Sequence, residues 1–196
     1  MELADYIESL RKDIVFDAKL RGLPFTFHST WGIFSPREID EGSRLLLDHV
    51  EVNPTDHCFD LGCGYGPLGL TLARLAPQGQ TLLVDKDFVA VEYARKNAER
   101  NGVHNATAML SNGFAQVGDR RFDLVVSNIP AKVGKEMLYI LLYDAFQHLN
   151  PGGRICVVTI TGLRRFIERA FEEVFENYEK VKQGKAYTVA LAYKPR

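Results

Sequence analysis

Cysteine is scarce in this chain: Cys58, Cys63 and Cys156 are the only ones in 196 residues. They form no Cys-x-x-Cys pair and are odd in number, which excludes a disulfide framework and argues against a zinc site. The histidines show no metal-ligand spacing either, so no metal is expected. Long apolar runs are also missing. None approaches the ~20 residues that a membrane helix needs, so no membrane partner is expected. The opening MELADYIESLRKD is acidic and polar and does not make a secretory signal. An excess of charge of one sign is absent, with Lys+Arg at 24 and Asp+Glu at 25. That excludes a strongly basic coat for constitutive nucleic-acid binding, but not a transient nucleic-acid substrate held by a local patch. Hydrophobic residues at 46% and charged residues at 25% fit an ordinary globular chain. The expectation is a soluble, cytoplasmic protein of one domain with a short extension.

The extension is read over residues 1–24 and the main domain over residues 25–196. Leu3, Ile7, Leu10, Ile14 and Ala18 recur at helical spacing, with Gly22 and Pro24 as stop signals. A helix packed on the main domain is predicted there. Residues 25–35 are aromatic-rich and read as a loop or short strand pair. Ser35-Pro36-Arg37-Glu38 carries an N-cap, a first-turn proline and a capping-box acid, predicting that a helix opens at Ser35. Its inner face would be Ile39, Ser43, Leu46, Leu47 and Val50.

From residue 57 strands and helices alternate. Strands are predicted over 57–62, 81–85, 106–111, 122–128 and 154–160, and helices over 67–76, 87–100, 135–149 and 163–175. Near-continuous apolar strands alternating with helices predict an α/β, doubly wound, mostly parallel sheet. The last two strands, on either side of Gly184-Lys185, are joined by too few residues for a crossover. They must form an antiparallel hairpin at one sheet edge. This is not the symmetric two-half layout of a dinucleotide-binding dehydrogenase.

The chemistry begins at Asp60-Leu61-Gly62-Cys63-Gly64-Tyr65-Gly66. Glycines permit a tight turn and a close approach to a ligand at the end of the first main-domain strand. Gly64-Tyr65-Gly66-Pro67-Leu68-Gly69 spells G-x-G-x-x-G, a weak signal on its own. The carboxylate of Asp60 argues against a pyrophosphate, which it would repel, and for a ligand carrying a positive charge. Asp85 ends the next strand about 20 residues on, where an acid is placed to hydrogen-bond ribose hydroxyls. Asp87 reads as a helix cap.

Asp60 to Gly66 resembles the S-adenosylmethionine-binding motif of class I methyltransferases, and the hairpin tail fits their seven-stranded, Rossmann-like sheet. The resemblance runs over roughly residues 25–194. It implies S-adenosylmethionine as cofactor. Asp60 would lie near the methionine ammonium, directly or through water, and Gly62, Cys63, Gly64 and Gly66 would line the cofactor. Asp85 would take the ribose and Lys86 would lie beside the adenine. Ser111-Asn112-Gly113-Phe114 ends the third main-domain strand, where the family usually has an Asp that reads the adenine amino group. Asn112 can still accept that bond through its side-chain oxygen, though more weakly.

Ser127-Asn128-Ile129-Pro130-Ala131 resembles the Asn-Pro-Pro-aromatic motif of amino-methylating enzymes. An exocyclic amine or amide has a delocalised lone pair. Two acceptors on its hydrogens can turn the nitrogen toward the methyl group. The resemblance assigns these roles to the Asn128 side-chain oxygen, which also adjoins the cofactor, and to the Ile129 carbonyl. Pro130 restricts Ile129 to extended conformations. Ala131 replaces the aromatic that would stack a flipped-out base, leaving Phe27, Trp31 or Phe34 to supply stacking. Phe34, Ala131 and Lys132 are the substrate-side candidates.

The run Gly32-Ile33-Phe34-Ser35, then Asp40 and Gly42-Ser43, resembles the segment that precedes the cofactor domain in the "methyltransferase small domain" subgroup. That subgroup includes RsmC-type ribosomal RNA guanine-N2 methyltransferases. The bland role of these residues is helix capping and core. Lys132, Lys135, Arg164 and Arg165 leave the carboxyl edge of the sheet and could meet phosphates. The resemblance implies a monomeric N-methyltransferase acting on an exocyclic amino group of an RNA base, guanine N2 leading and ribosomal RNA favoured. Open alternatives are a protein glutamine amide methyltransferase, a non-catalytic S-adenosylmethionine-binding protein and, disfavoured by Asp60 and the tail, a dinucleotide oxidoreductase.

Overall fold

The computed structural model describes residues 2–196. The most apolar runs become the centre of the sheet. β3 (Cys58–Leu61) is buried throughout, and β4 (Thr81–Asp85) and β6 (Phe122–Asn128) nearly so. Burial on both faces is what parallel strands under helices require. With β5 (Ala106–Leu110), β7 (Leu149–Ile160), β8 (Glu179–Gln183) and β9 (Tyr187–Tyr193) they form a seven-stranded sheet of order β5-β4-β3-β6-β7-β9-β8. β3 to β7 run parallel, and β9 lies antiparallel to both β7 and β8. The predicted doubly wound sheet closed by a hairpin is therefore the observed one.

Helices cover both faces. α2 (Glu41–His49), α3 (Pro67–Leu75) and α4 (Phe88–Arg100) bury Leu46, Leu47, Leu70, Leu72 and Val91 on one side. α5 (Lys135–His148) and α6 (Arg164–Phe175) bury Leu138, Leu142, Phe171 and Phe175 on the other. The chain winds outward from β3 through β4 to β5, then crosses back to β6 on β3's other side. A crevice opens beyond the carboxyl ends of the strands at such a reversal.

Two expectations are corrected. The helix predicted across residues 1–24 stops early: α1 spans Leu3–Leu10, and β1 (Ile14–Leu20) and β2 (Leu23–Ser29) follow as an antiparallel hairpin. Its turn is Arg21-Gly22, with φ of 52° and 81°. Positive φ at both central residues is the two-residue turn whose twist suits a hairpin. Burial along β1 alternates with period 2, and Ile14, Val15 and Phe16 favour a strand. Nor does α1 pack on the domain: none of its residues is buried, and Leu3 is 75% exposed.

The second correction concerns Ser35, which caps no helix. It sits at φ 47°, and its carbonyl and that of Glu38 accept hydrogen bonds from the Tyr65 hydroxyl at 3.1 and 3.2 Å. Tyr65 thereby ties residues 35 and 38 to the glycine loop, and Ser35 lines the cavity there instead of opening a first turn. α2 begins at Glu41, capped by Asp40, whose carboxylate accepts from the Ser43 N–H at 3.1 Å. The expected inner face, Ile39, Ser43, Leu46, Leu47 and Val50, is buried.

Candidate functional site

The crevice at the carboxyl ends of β3, β4 and β6 holds a cavity of about 400 Å³, a size suited to a small-molecule cofactor. The glycine loop forms one wall, and the N–H groups of its three glycines and of Cys63 are hydrogen-bonded within the protein. Gly62 and Cys63 donate their N–H groups to the Val84 carbonyl at 2.9 Å, and Gly66 donates to the Cys63 carbonyl at 3.0 Å. Gly64, at φ 56°, donates to Asp85 Oδ2 at 2.9 Å. Gly69 serves packing instead: a Cβ there would lie 2.4 Å from Leu83, so only glycine lets α3 lie this close to β4.

Asp60 lies beneath this loop and does not line the cavity. It is fully buried. Its Oδ2 accepts from the Gly69 N–H at 2.7 Å, and its Oδ1 has no partner. Burial pushes its carboxyl up to about 7; the Gly69 hydrogen bond opposes that, and the charge of Asp85 adds to it. A buried carboxyl with an unused oxygen suits a cation above the loop.

Asp85 faces the cavity. Its Oδ1 accepts from the Asp87 N–H at 2.9 Å, so each oxygen keeps acceptor capacity for a hydroxyl donor. Lys86, Asn112 and Gly113 line the same end, and Cys63 lines the loop wall. The Cys63 thiol is pushed well above its ordinary value by burial, so it is no nucleophile. Gly66 and Phe114, expected to meet the cofactor, do not reach the cavity wall. Gly66 is the N-cap of α3. Phe114 is core, stacked between Phe59 and His148 at 4.5 and 4.7 Å between centroids.

The other end of the cavity belongs to the Asn128 segment. Asn128 and Pro130 line it. Ile129 does not: its side chain is buried in the core under α5 and α6, and its N–H donates to the Val158 carbonyl at 3.0 Å. Ala131 and Lys132 are exposed and outside the cavity wall. Of the three aromatics expected to stack a base, Phe27 is fully buried. Trp31 is covered by the Arg37 guanidinium at 4.5 Å and does not reach the wall. Phe34 lines the mouth and is 66% exposed. Of the expected basic residues, Arg164 donates to Gln183 Oε1 at 2.8 Å, and Lys135 lies 5.9 Å over the Phe166 ring.

Sequence reasoning missed what holds Asn128. Its Nδ2 donates to Asp40 Oδ2 and to Ser43 Oγ, both at 2.9 Å. With both N–H bonds taken, the free polar atom of the amide is Oδ1, an acceptor. The family resemblance singled out Asp40 and Gly42-Ser43 but gave them no partner, with helix capping and core as their bland role. Among the described residues no cluster of His, Cys, Asp or Glu suits a metal ion, and no helix is long and apolar enough to cross a membrane.

Against known proteins, residues 24–191 match the family model described as "Methyltransferase small domain". The chain is 34% identical over 180 residues to the uncharacterized protein YbxB of Bacillus subtilis (strain 168), covering 90% of this chain and 89% of that one. It is 35% identical over 153 residues to the ribosomal RNA small subunit methyltransferase C of Pseudomonas entomophila (strain L48), covering 76% of this chain and 46% of that one. It superposes with a TM-score of 0.83 on the T. thermophilus 16S rRNA guanosine-N2 methyltransferase RsmC in complex with S-adenosylmethionine and guanosine. That match has 31% identity and covers 92% of this chain and 50% of that one. The chain thus spans about half the length of the RsmC proteins it matches. It belongs to the methyltransferase small domain family, and its class is that of the S-adenosylmethionine-dependent methyltransferases.

Proposed function

We propose that this member of the methyltransferase small domain family methylates an exocyclic amino group of an RNA base, with guanine N2 as the atom and ribosomal RNA as the transient substrate, working as a cytoplasmic monomer. The observation that carries the reading is the orientation of Asn128, whose free Oδ1 is the acceptor an incoming NH₂ needs. The RsmC relatives, named for ribosomal RNA and, in one structure, holding guanosine, support the choice of base.

S-adenosylmethionine supplies a methyl group on a sulfonium and departs as a neutral thioether. The residues present fit it. Asp60 carries an orphaned buried oxygen under the loop, and Asp85 and Asn112 offer acceptors for a ribose and an adenine amine. Asn128 Oδ1 would take one hydrogen of the target amine and turn its nitrogen toward the methyl group; the Ile129 carbonyl, expected from the sequence as a second acceptor, belongs to a residue that does not line the cavity. Phe34 would stack the base in place of the aromatic that Ala131 lacks. The nitrogen would bond to the methyl carbon as the carbon–sulfur bond breaks, and the methylated nitrogen, now cationic and acidic, would give its extra proton to water; no strong base is needed, and the rate comes mainly from proximity and orientation.

The test is methyl transfer from labelled S-adenosylmethionine into in-vitro-transcribed ribosomal RNA, total tRNA and total protein, followed by nucleoside analysis. N2-methylguanosine in the ribosomal RNA is expected. Label at a protein glutamine would replace this reading with the amide one, and no label in any pool would favour the non-catalytic one. Asn128→Ala should cut single-turnover transfer on the order of 10²-fold while leaving cofactor binding nearly intact. Equal rates would overturn the role of Asn128.

A further inference from the structure

We infer that Asp40 is a positioning residue: through Asn128 it sets which atom of that amide faces the substrate, with Ser43 and Tyr187 holding the arrangement. The inference rests on the reading of Asn128 as the acceptor for the target amine.

The argument starts from what a carboxylate can do. It accepts hydrogen bonds and donates none. Asp40 Oδ2 lies 2.9 Å from the Asn128 amide nitrogen and also accepts from the Ser43 N–H at 3.1 Å. Were the Asn128 amide turned over, its oxygen would face that carboxylate oxygen at the same separation. Two acceptors would meet with no hydrogen between them, one of them charged, in a half-buried site. Leaving such groups unsatisfied is costly, and charge-assisted bonds are the stronger kind in the arrangement observed. The amide therefore has one favoured orientation, with Oδ1 left unbonded. Ser43 Oγ adds a second acceptor on the same nitrogen at 2.9 Å.

The carboxylate is itself fixed from two sides. Its Oδ2 is anchored at the start of α2, and its Oδ1 accepts from the Tyr187 hydroxyl at 3.2 Å, on the first residue of β9. Gly42 explains how Tyr187 comes so close: a Cβ at residue 42 would lie 2.8 Å from the tyrosine ring and 2.9 Å from Asp40 Oδ2. The Asp-x-Gly-Ser spacing is thus one device. Asp40 faces the amide, Gly42 admits the tyrosine, and Ser43 supplies both the capped N–H and the second acceptor.

The rival explanation is that Asp40 only caps α2. Asp40→Ser separates the two. Serine is among the best N-caps, but its shorter side chain does not span to Asn128. Asp40→Ser should fold, bind S-adenosylmethionine about as well as the parent, and slow single-turnover transfer to in-vitro-transcribed ribosomal RNA by about 10-fold or more. In an Asn128→Ala background the same change should cost nothing further, since residues acting as one unit are not additive. A second readout needs no substrate. The two Asn128 side-chain amide protons, followed by NMR, should exchange with solvent about 10-fold faster in Asp40→Ser than in the parent, as a hydrogen-bonded group does once released. A full extra loss in the Asn128→Ala background, or amide exchange unchanged by Asp40→Ser, would overturn the inference. If Asn128→Ala itself leaves transfer unchanged, or the RNA takes no label, the acceptor reading fails instead, and the exchange rates still decide whether Asp40 holds the amide.

Discussion

Asp60 is fully buried with one oxygen unpartnered, and its carboxyl is pushed up to about 7. An acid raised on folding binds more protons in the folded than in the unfolded chain between its two values. Its contribution to stability is therefore lost as pH rises from about 4 through 7. Asp60→Asn should raise the melting temperature of the cofactor-free protein at pH 8, because it removes a charge that burial disfavours. The same change should weaken S-adenosylmethionine, whose ammonium loses its counter-charge, and should flatten the rise in affinity expected between pH 6 and 8. Thermal melts and calorimetric titrations at both pH values check this. A mutant that is less stable at pH 8 and binds cofactor normally would remove Asp60 from the site.

Asp85 offers a second test at this scale. Asp85→Ala should weaken cofactor binding by about 1–3 kcal/mol, the worth of hydrogen bonds to a charged acceptor. It also frees the Gly64 N–H that Asp85 now holds. Unchanged affinity in a calorimetric titration of the folded mutant would sink the ribose assignment. Asp85 was legible in sequence because strand ends are legible. The partner of Asn128 was not, because residues 40 and 128 meet only through the fold.

At the scale of elements, sequence reading failed where two periods coincided. Leu10, Ile14 and Ala18 fit a helical stripe, and Ile14 and Ala18 equally fit one face of a strand. The Arg21-Gly22 turn decided for the hairpin. The hairpin is then fastened edge-on to α4 by side chains that imitate a neighbouring strand. Asn97 accepts from the His28 N–H at 2.8 Å and donates to the His28 carbonyl at 2.9 Å. One helical turn later, Asn101 does the same with Thr26. Asn97 also donates to the Tyr65 carbonyl at 2.9 Å, which ties the hairpin to the glycine loop. No local pattern announces an asparagine used this way.

Asp13 completes the fastening, accepting from His28, Lys96 and Tyr93. Burial pushes its carboxyl up, but those hydrogen bonds outweigh burial and bring it down to about 2. An acid lowered on folding stabilises above its unfolded value, and that contribution is lost as pH falls from about 4 through 2. Asp13→Asn should cost about 1–2 kcal/mol at pH 7, allowing for the partial exposure of the pair. The gap in melting temperature to the parent should shrink toward pH 2. A gap that stays constant with pH would mean that shape, not charge, fastens the hairpin.

For the whole molecule, winding order and closure were readable because each buried strand is a short apolar run and each helix has a stripe. What could not be read is how the glycine loop spends its amides, and that decides the ligand class. A pyrophosphate needs free N–H groups at the end of the first strand and the start of the following helix. Here the N–H groups of Gly62 and Cys63 go to Val84, that of Gly64 to Asp85 and that of Gly66 to Cys63. The side chains left facing the cavity include the acceptors Asp85, Asn112 and Asn128. That arrangement repels a dinucleotide and suits a cationic ligand with a ribose and an amine-bearing base. At about 100 times its dissociation constant, S-adenosylmethionine should stabilise the protein by about 2.7 kcal/mol. For a chain of this length that is a rise in melting temperature of about 5–10 °C. NAD at the same concentration should leave the melt unmoved. A rise with NAD and none with S-adenosylmethionine would show that the loop can release its amides to a phosphate, and the electrostatic argument from Asp60 would fall with it.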